Sequence, residues 1–188
     1  MMDNTDLPST SPARFIREAC AQGRLLAKTE LLQILRDRPT APDAPAPPVE
    51  KLEEEISKTL AEDANLAVVR GPDGEEFYRC AGLMSATYAE ILAGKSAPCL
   101  LIAETARKNS REYPRPIALD IFEYPPFDFD PEIIQACLRH MAADADFCDI
   151  SFVESSAGTV FLYSKKHLDH EYAAFLAERL DVDLALNP

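Results

Sequence analysis

The chain has 188 residues, of which 47% are hydrophobic, and it carries a formal net charge of −13. This length and apolar content are typical of one large or two small globular domains and exclude an intrinsically disordered chain. The negative charge argues against binding to nucleic acid or to an anionic membrane, because both depend on neutralising phosphate. We therefore predict an acidic cytoplasmic protein whose partners are neither nucleic acids nor membranes.

Cysteine usage gives no sign of a metal site or a disulfide framework. The five cysteines are Cys20, Cys80, Cys99, Cys137 and Cys148. Their number is odd and no two form a C-x-x-C pair, which supports neither a zinc ribbon nor paired disulfides. All but the first lie among apolar residues and are predicted to be small core side chains. No secretory signal and no apolar window of roughly 20 residues is present, so a reducing cytoplasm is expected.

The N-terminal third predicts two helices. Residues 1–12 are polar and expected to be disordered, with Ser11 as a helix cap and Pro12 at the first helical position. A second helix is predicted over about 28–37 with Thr29 as its cap. The apolar faces of the two helices comprise Phe15, Ile16, Ala19 and Cys20, and then Leu31, Leu32, Ile34 and Leu35.

A proline-rich connector follows at residues 39–48, which hold five prolines. So many prolines cannot lie inside a helix or a central strand, and they favour a semi-rigid, polyproline-like conformation. This segment is either a spacer or a ligand for an aromatic-lined groove, since composition alone does not separate the two.

A third helix and a hairpin come next. Apolar residues at offsets of three and four predict a helix from Val49 to about 63, with Leu52, Ile56 and Leu60 on one face. The segments 66–70 and 75–80 suit two strands around a Gly-Pro-Asp-Gly turn at 71–74. The order of three helices and a hairpin over residues 13–80 resembles the winged-helix family, a bacterial DNA-binding module.

The resemblance implies that the third helix reads DNA, but its composition does not suit that role. Residues 50–63 hold six acids and two bases, a net charge of −4. The proline connector also occupies the place where the family has a tight turn. Phosphates would repel such a helix, so we expect residues 13–82 to contact protein rather than DNA.

Residues 83–188 predict a second module of the α+β class, a small, mostly antiparallel sheet flanked by helices. Ser85 is predicted to cap a short helix, and Asp130 another. The predicted helices cover about 85–94, 96–111, 130–141 and 166–180, and the strands 117–123, 147–154 and 159–163. The last helix is expected to direct Leu168, Tyr172, Phe175, Leu176 and Leu180 inward.

Two segments of this module are candidate partner-binding sites. The one basic cluster of this acidic chain could grip an acidic partner or a phosphate, or could complement the dipole of its helix. The cluster consists of Arg107, Lys108, Arg111 and Arg115. Residues 123–130 combine acids, prolines and aromatics, and Tyr124 and Phe127 could form a contact surface or pack on the core.

No catalytic, cofactor or metal motif emerges. His167 and His170 would share a helix face, yet an H-x-x-H pair lacks the third and fourth ligands of a metal site. The serines at 155–156 lie in a turn signal without a nucleophile elbow. We expect a non-catalytic interaction or regulatory protein of the bacterial cytoplasm, with a protein partner or a second copy of itself. A small-molecule enzyme or sensor with a pocket between the modules, and a DNA-binding regulator, are the alternatives.

Overall fold

The structure is a computed structural model that describes residues 11–38 and 47–186, with side chains as far as Val182. The chain forms two compact units, Met1–Ser96 and Ala97–Pro188. Within the described residues, seven α-helices and two three-stranded antiparallel sheets confirm the predicted α+β class. The first unit extends beyond the expected boundary at residue 82, because Tyr88 and Leu92 pack against its core.

The first unit places three helices before a hairpin and one after it. Its elements are α1 (Pro12–Ala21), β1 (Leu26–Ala27), α2 (Lys28–Arg36), α3 (Val49–Glu62), β2 (Leu66–Arg70), β3 (Glu76–Cys80) and α4 (Ala86–Gly94). The sheet order is β1-β3-β2. Strand β1 was not predicted, because two residues are too few to show an alternating pattern. The predicted proline-rich connector lies mostly outside the described residues.

Helix caps explain where two helices of this unit begin. The Ser11 side chain accepts a hydrogen bond from the backbone N–H of Arg14, and the Ser85 side chain accepts one from Tyr88. The predicted Thr29 cap is wrong. Ala27 occupies the N-cap position of α2, and the Thr29 hydroxyl donates to a Glu75 carboxylate oxygen at 3.3 Å.

The core of the first unit follows the predicted helix faces with one exception. Side chains from all three leading helices pack with the sheet, and the largest buried ones include Ile16, Leu26, Leu31, Leu35, Leu52, Ile56 and Tyr78. Val49, predicted on the buried face of α3, is exposed. It lies at the first position of the helix, and the buried residues of α3, Leu52 and Ile56, come from later positions.

The second unit has a sheet of the same order. Its elements are α5 (Pro98–Glu112), β4 (Ile117–Ala118), a 3₁₀ helix (Leu119–Glu123), α6 (Pro131–Ala143), a 3₁₀ turn (Ala145–Phe147), β5 (Ile150–Glu154), β6 (Val160–Ser164) and α7 (His170–Leu186). The strands are ordered β4-β6-β5, with Phe152 opposite Leu162 in the hairpin. Both strands of that hairpin were predicted, although β5 begins three residues later than expected.

Two sequence predictions in this unit are wrong, and a third is correct only in position. The expected strand over 117–123 is a strand only at Ile117–Ala118, because the chain then coils into a 3₁₀ helix that buries Phe122. Asp130 is the N-cap residue of α6 and Pro131 its first residue, as predicted, but the Asp130 side chain makes no cap hydrogen bond. The last helix begins at His170 rather than near 166. At this observed start, the Asp169 carboxylate accepts the N–H of Glu171 at 2.9 Å.

The buried face of α7 also differs from the prediction. Ala173 and Ala177 are fully buried against the sheet, whereas Tyr172 and Phe175 are exposed. Small side chains let this helix approach the strands closely, and that approach turns the aromatic residues outward. Hydrophobicity alone favoured the larger residues, and the prediction is wrong for Tyr172 and Phe175. It is correct for Leu168, which is buried, and for Leu180, which packs against the same cluster.

The cysteines correct a further expectation. Cys99 at the start of α5 and Cys137 in α6 form a disulfide across 38 residues of sequence. Cys148 is exposed rather than in the core. Cys20 and Cys80 are buried thiols, and the Cys80 backbone N–H donates to the Cys20 sulfur at 3.1 Å. Helix faces, not sequence spacing, bring Cys99 and Cys137 together.

Candidate functional site

The predicted basic cluster does not act as one group, because Arg107 is committed to the interior. Its Nε and Nη2 atoms donate to the two Asp149 oxygens at 3.0 and 2.5 Å, and Nη1 donates to Glu104 at 2.7 Å. Asp149 is only 4% exposed and also accepts the Ser164 hydroxyl at 2.7 Å. Arg107 therefore joins α5 to the residue that precedes β5, and Asp149 in turn is bonded to Ser164 at the end of β6. Arg107 is thus not open to a partner.

The same contacts set the protonation of the pair. The hydrogen bonds from the Arg107 guanidinium hold the pKa of the Asp149 carboxyl well below its usual range. The Asp149 carboxylate in turn raises the pKa of Arg107 above its ordinary value. Both groups stay charged at neutral pH, and this ion pair stabilises the fold.

The other three residues of the cluster lie in different surroundings. Lys108 is half-buried on α5, and Arg111 pairs with the neighbouring Glu112 at 3.4 Å. Arg115 lies beyond the end of the helix, with its guanidinium carbon 5.6 Å from the centroid of the Tyr113 ring. Of the four predicted residues, Arg115 lines a cleft.

That cleft, which we call the arginine cleft, has a volume of about 440 Å³. Its wall consists of Tyr113, Pro114, Arg115, Tyr172, Leu176, Arg179 and Leu180. Arg179 comes from α7, 64 residues after Arg115, so no local pattern could have linked the two cations. Sequence reasoning identified one half of this site and missed the other.

The two candidate aromatic residues of segment 123–130 differ in their exposure. Tyr124 is exposed, as a contact residue must be. Phe127 is buried, and its ring meets the Phe122 ring edge-on at 4.8 Å between centroids. Of the two alternatives left open for Phe127, its burial favours packing on the core.

A second depression, the β5 groove, has a volume of about 300 Å³ and was not predicted. Leu138 and Met141 of α6 form one side, and Ile150 and Phe152 of β5 form the other. The remaining wall residues are Leu119, Gln135, Ala142, Ser151, Val160 and Leu162. Phe152 is 65% exposed.

Comparison with known proteins relates most of the chain to proteins of unassigned role. Residues 95–185 match the family described as the YdhW C-terminal domain. Over 189 residues the chain is 28% identical to the "Uncharacterized protein YdhW" of Escherichia coli (strain K12). The matched region covers 96% of this chain and 81% of that protein. No solved structure matches the chain. None of these matches is to a winged-helix family.

The residues matched to the YdhW C-terminal domain include both the arginine cleft and the β5 groove. The same range contains the two histidines considered as metal ligands. The Tyr163 hydroxyl and the His170 Nδ1 lie 2.9 Å apart, and His167 precedes the helix that was expected to align the pair. In the part of the chain that the structure describes, no cluster of His, Cys, Asp and Glu could hold a metal ion.

The serines at the hairpin turn serve α7. Ser155 donates its hydroxyl to Asp181, and Ser156 donates its backbone N–H and its hydroxyl to Glu178, both at 2.7 Å. These bonds tie the β5–β6 turn to the helix, which agrees with the turn interpretation. Within residues 11–38 and 47–186, no helix is long and apolar enough to cross a membrane.

Proposed function

We propose that this protein binds another protein, and that the β5 groove of its second unit holds an extended segment of that partner. The observation that supports this is the exposure of Phe152, which is 65% accessible in the middle of β5. An aromatic side chain so exposed beside an apolar groove is costly to leave in water and is typical of an interaction surface.

The position of β5 in the sheet supports an extended occupant. β5 is the last strand in the order β4-β6-β5, so within the described residues its outer edge has no strand partner. The free N–H and C=O groups of an edge strand pair readily with an added strand. The groove beside it has no charged side chain in its wall, so the occupant presents apolar residues there.

A second copy of this chain fits the edge less well than a different protein. If two β5 strands paired antiparallel about Phe152, Ile150 would face Glu154 of the other copy, an apolar residue opposite a charge. Two chains of net charge −13 would also repel each other. A partner protein with an apolar strand avoids both costs.

The test begins with a photo-crosslinking amino acid at Ser151, which lines the groove. Crosslinked partner segments identified by mass spectrometry are then synthesised, and their affinity for the full chain is measured by calorimetry. We expect Phe152→Ser to weaken binding by about tenfold or more, because a buried aromatic anchor is commonly worth 2 kcal/mol or more. Hydrogen exchange at the β5 amides should slow when the segment binds.

Phe175→Ser is the matched control, because Phe175 is an equally exposed phenylalanine on α7 and does not line the groove. An equal loss of affinity in both variants would contradict the proposal. So would crosslinks formed only between copies of this chain, with a dimer seen by sedimentation.

We further infer that the first unit is a winged-helix-like module that contacts protein and not DNA. The order α1, α2, α3 and then the β2–β3 hairpin supports the resemblance, and the ion pairs of α3 support the choice of partner. Lys28 pairs with Glu53 at 2.8 Å and Arg38 with Glu55 at 3.0 Å. Cations held by the acids of α3 are not free to bind phosphate.

A further inference from the structure

We propose that the arginine cleft is a binding site for a nucleoside phosphate, with the phosphate between Arg115 and Arg179 and the base against a tyrosine ring. The cleft shares no wall residue with the β5 groove. The ligand site is thus separate from the proposed protein-binding surface, and either can fail without the other.

Both cations of the cleft lack a carboxylate partner among the described residues. Neither Arg115 nor Arg179 forms an ion pair there, although the chain carries 32 acidic residues. The two acids that flank Arg179 on α7 are engaged elsewhere, since Glu178 and Asp181 accept hydrogen bonds from the serines of the β5–β6 turn. Two guanidinium groups therefore line the cleft with no carboxylate partner among the residues that the structure describes.

Two guanidinium groups suit phosphate better than a single carboxylate. A phosphate monoester carries a charge between −1.5 and −2 near neutral pH and three acceptor oxygens. Arginine binds such oxygens through two parallel N–H groups, and one carboxylate would satisfy only one of the two side chains. Charge balance thus favours a phosphate between Arg115 and Arg179.

The aromatic wall suits a flat ring. Tyr113 and Tyr172 are both at least half exposed in the cleft. Tyr172 is stacked with Phe175 at an interplanar angle of 18°, which holds its ring in a fixed orientation. Bases stack on such rings with little dependence on sequence.

The size and overall charge select a mononucleotide over a nucleic acid. The cleft volume of about 440 Å³ lies within the range of small-molecule pockets, about 300–1,000 Å³. A polynucleotide would bring many phosphates against a protein of net charge −13, whereas a single phosphate meets only the local cations.

The experiment titrates the full chain with adenosine monophosphate, uridine monophosphate, adenosine and inorganic phosphate by calorimetry at low ionic strength. We expect both nucleotides to bind, and adenosine and phosphate to bind at least about tenfold more weakly, because each lacks one part of the recognised group. In NMR spectra, adenosine monophosphate should shift the amide signals around Arg115, Tyr172 and Arg179 of the unmodified chain.

Arg115→Gln and Arg179→Gln should each weaken nucleotide binding by about tenfold or more, because each removes charge-assisted hydrogen bonds. Arg139→Gln is the matched control, an exposed arginine of α6 outside the cleft. Tyr172→Leu should weaken binding of both nucleotides and leave that of inorganic phosphate unchanged.

The proposal is overturned if neither nucleotide binds, or if the Arg139 variant loses affinity as much as the cleft variants. Equal affinity for phosphate and for the nucleotides would refute the role of the tyrosines. Signal shifts confined to residues outside the cleft would refute the site itself.

Discussion

The two units have the same sheet order but differ in the side chains that their edge strands expose. In each, a two-residue strand pairs with the second strand of a hairpin, giving β1-β3-β2 and β4-β6-β5. In the first unit the edge strand β2 exposes the smaller Val68 and ends at Arg70, which pairs with Glu76 of β3 at 3.5 Å. In the second unit the corresponding edge strand exposes Phe152 beside an apolar groove. Charged residues on an edge strand resist strand addition, whereas an apolar edge invites it.

The basic residues of the two units also differ in the contacts that they make. In the first, arginine and lysine side chains pair with acids at the surface, as Lys28 does with Glu53 and Arg38 with Glu55. In the second, Arg107 is held in a largely buried ion pair while Arg115 and Arg179 face an open cleft. Surface pairs add little stability, so the buried pair should dominate when each is removed.

The largest effect is expected for Asp149→Ala. It leaves the Arg107 guanidinium, with its side chain 16% exposed, without its main partner and frees the Ser164 hydroxyl. We expect the second unit to lose about 3 kcal/mol of stability, the lower end for breaking a buried pair, because Glu104 still contacts Arg107. Native-state hydrogen exchange of the β6 amides measures the loss within the full chain.

Glu104→Ala is the control, since it removes the exposed carboxylate from the same arginine. Glu104 is 59% exposed, so its loss should cost less than about 1 kcal/mol. Similar losses in the two variants would show that burial of Asp149 does not govern the strength of the pair.

The pH dependence of this pair follows from its lowered pKa. Because the folded-state pKa of Asp149 lies below the unfolded value of about 3.9, its contribution is complete above about pH 5. The contribution falls as the pH drops through about 4 toward the folded pKa. The stability difference between the native chain and Asp149→Ala should therefore shrink below about pH 4, and hydrogen exchange in acid measures it. A difference that grew in acid would contradict the assignment.

An effect of similar size is expected from the disulfide, which is present in the second unit and has no counterpart between the buried cysteines of the first. Reduction of the Cys99–Cys137 disulfide should destabilise the second unit by about 2–4 kcal/mol, because it releases a 38-residue loop in the unfolded chain. Cys20 and Cys80 are already thiols, so the first unit should not respond. Hydrogen exchange with and without reductant tests both statements.

Cys99→Ser should reproduce the effect of the reductant, and Cys148→Ser, at an exposed free thiol, should have none. Thiol titration of the denatured chain should give three groups before reduction and five after it. Five thiols in a sample kept oxidised would refute the disulfide.

Local signals in the sequence predicted much of the fold. The serine caps at Ser11 and Ser85 and the turns of both hairpins were correct, because each depends on neighbours within a few residues. Predictions failed where tertiary packing decides. The segment after Ile117 coils to bury Phe122, and α7 buries Ala173 in place of Tyr172, and both outcomes depend on surfaces that come from elsewhere in the chain.

The candidate sites were less accessible to sequence reasoning. Arg115 was identified because its neighbours form a basic run, but that run contains Arg107, which pairs with Asp149 from 42 residues away. The partner of Arg115 across the cleft, Arg179, stands among acids and gave no signal. Charge patterns along a chain show composition, whereas a site depends on which charges remain unpaired after folding.

The smallest effect is expected when DNA is added to the protein, because we predict that the first unit does not bind it. Helix α3 exposes Glu50, Glu54 and Glu62. On the hairpin, Arg70 is paired with Glu76. Fluorescence anisotropy of a labelled duplex at low ionic strength, where phosphate contacts are strongest, should show no change as the protein is added. Salt-dependent binding that weakened in a Lys51→Ala variant, which removes an exposed base of α3, would instead make this unit a DNA reader. The contrast between the units would then lie in their ligands, nucleic acid for the first and protein for the second.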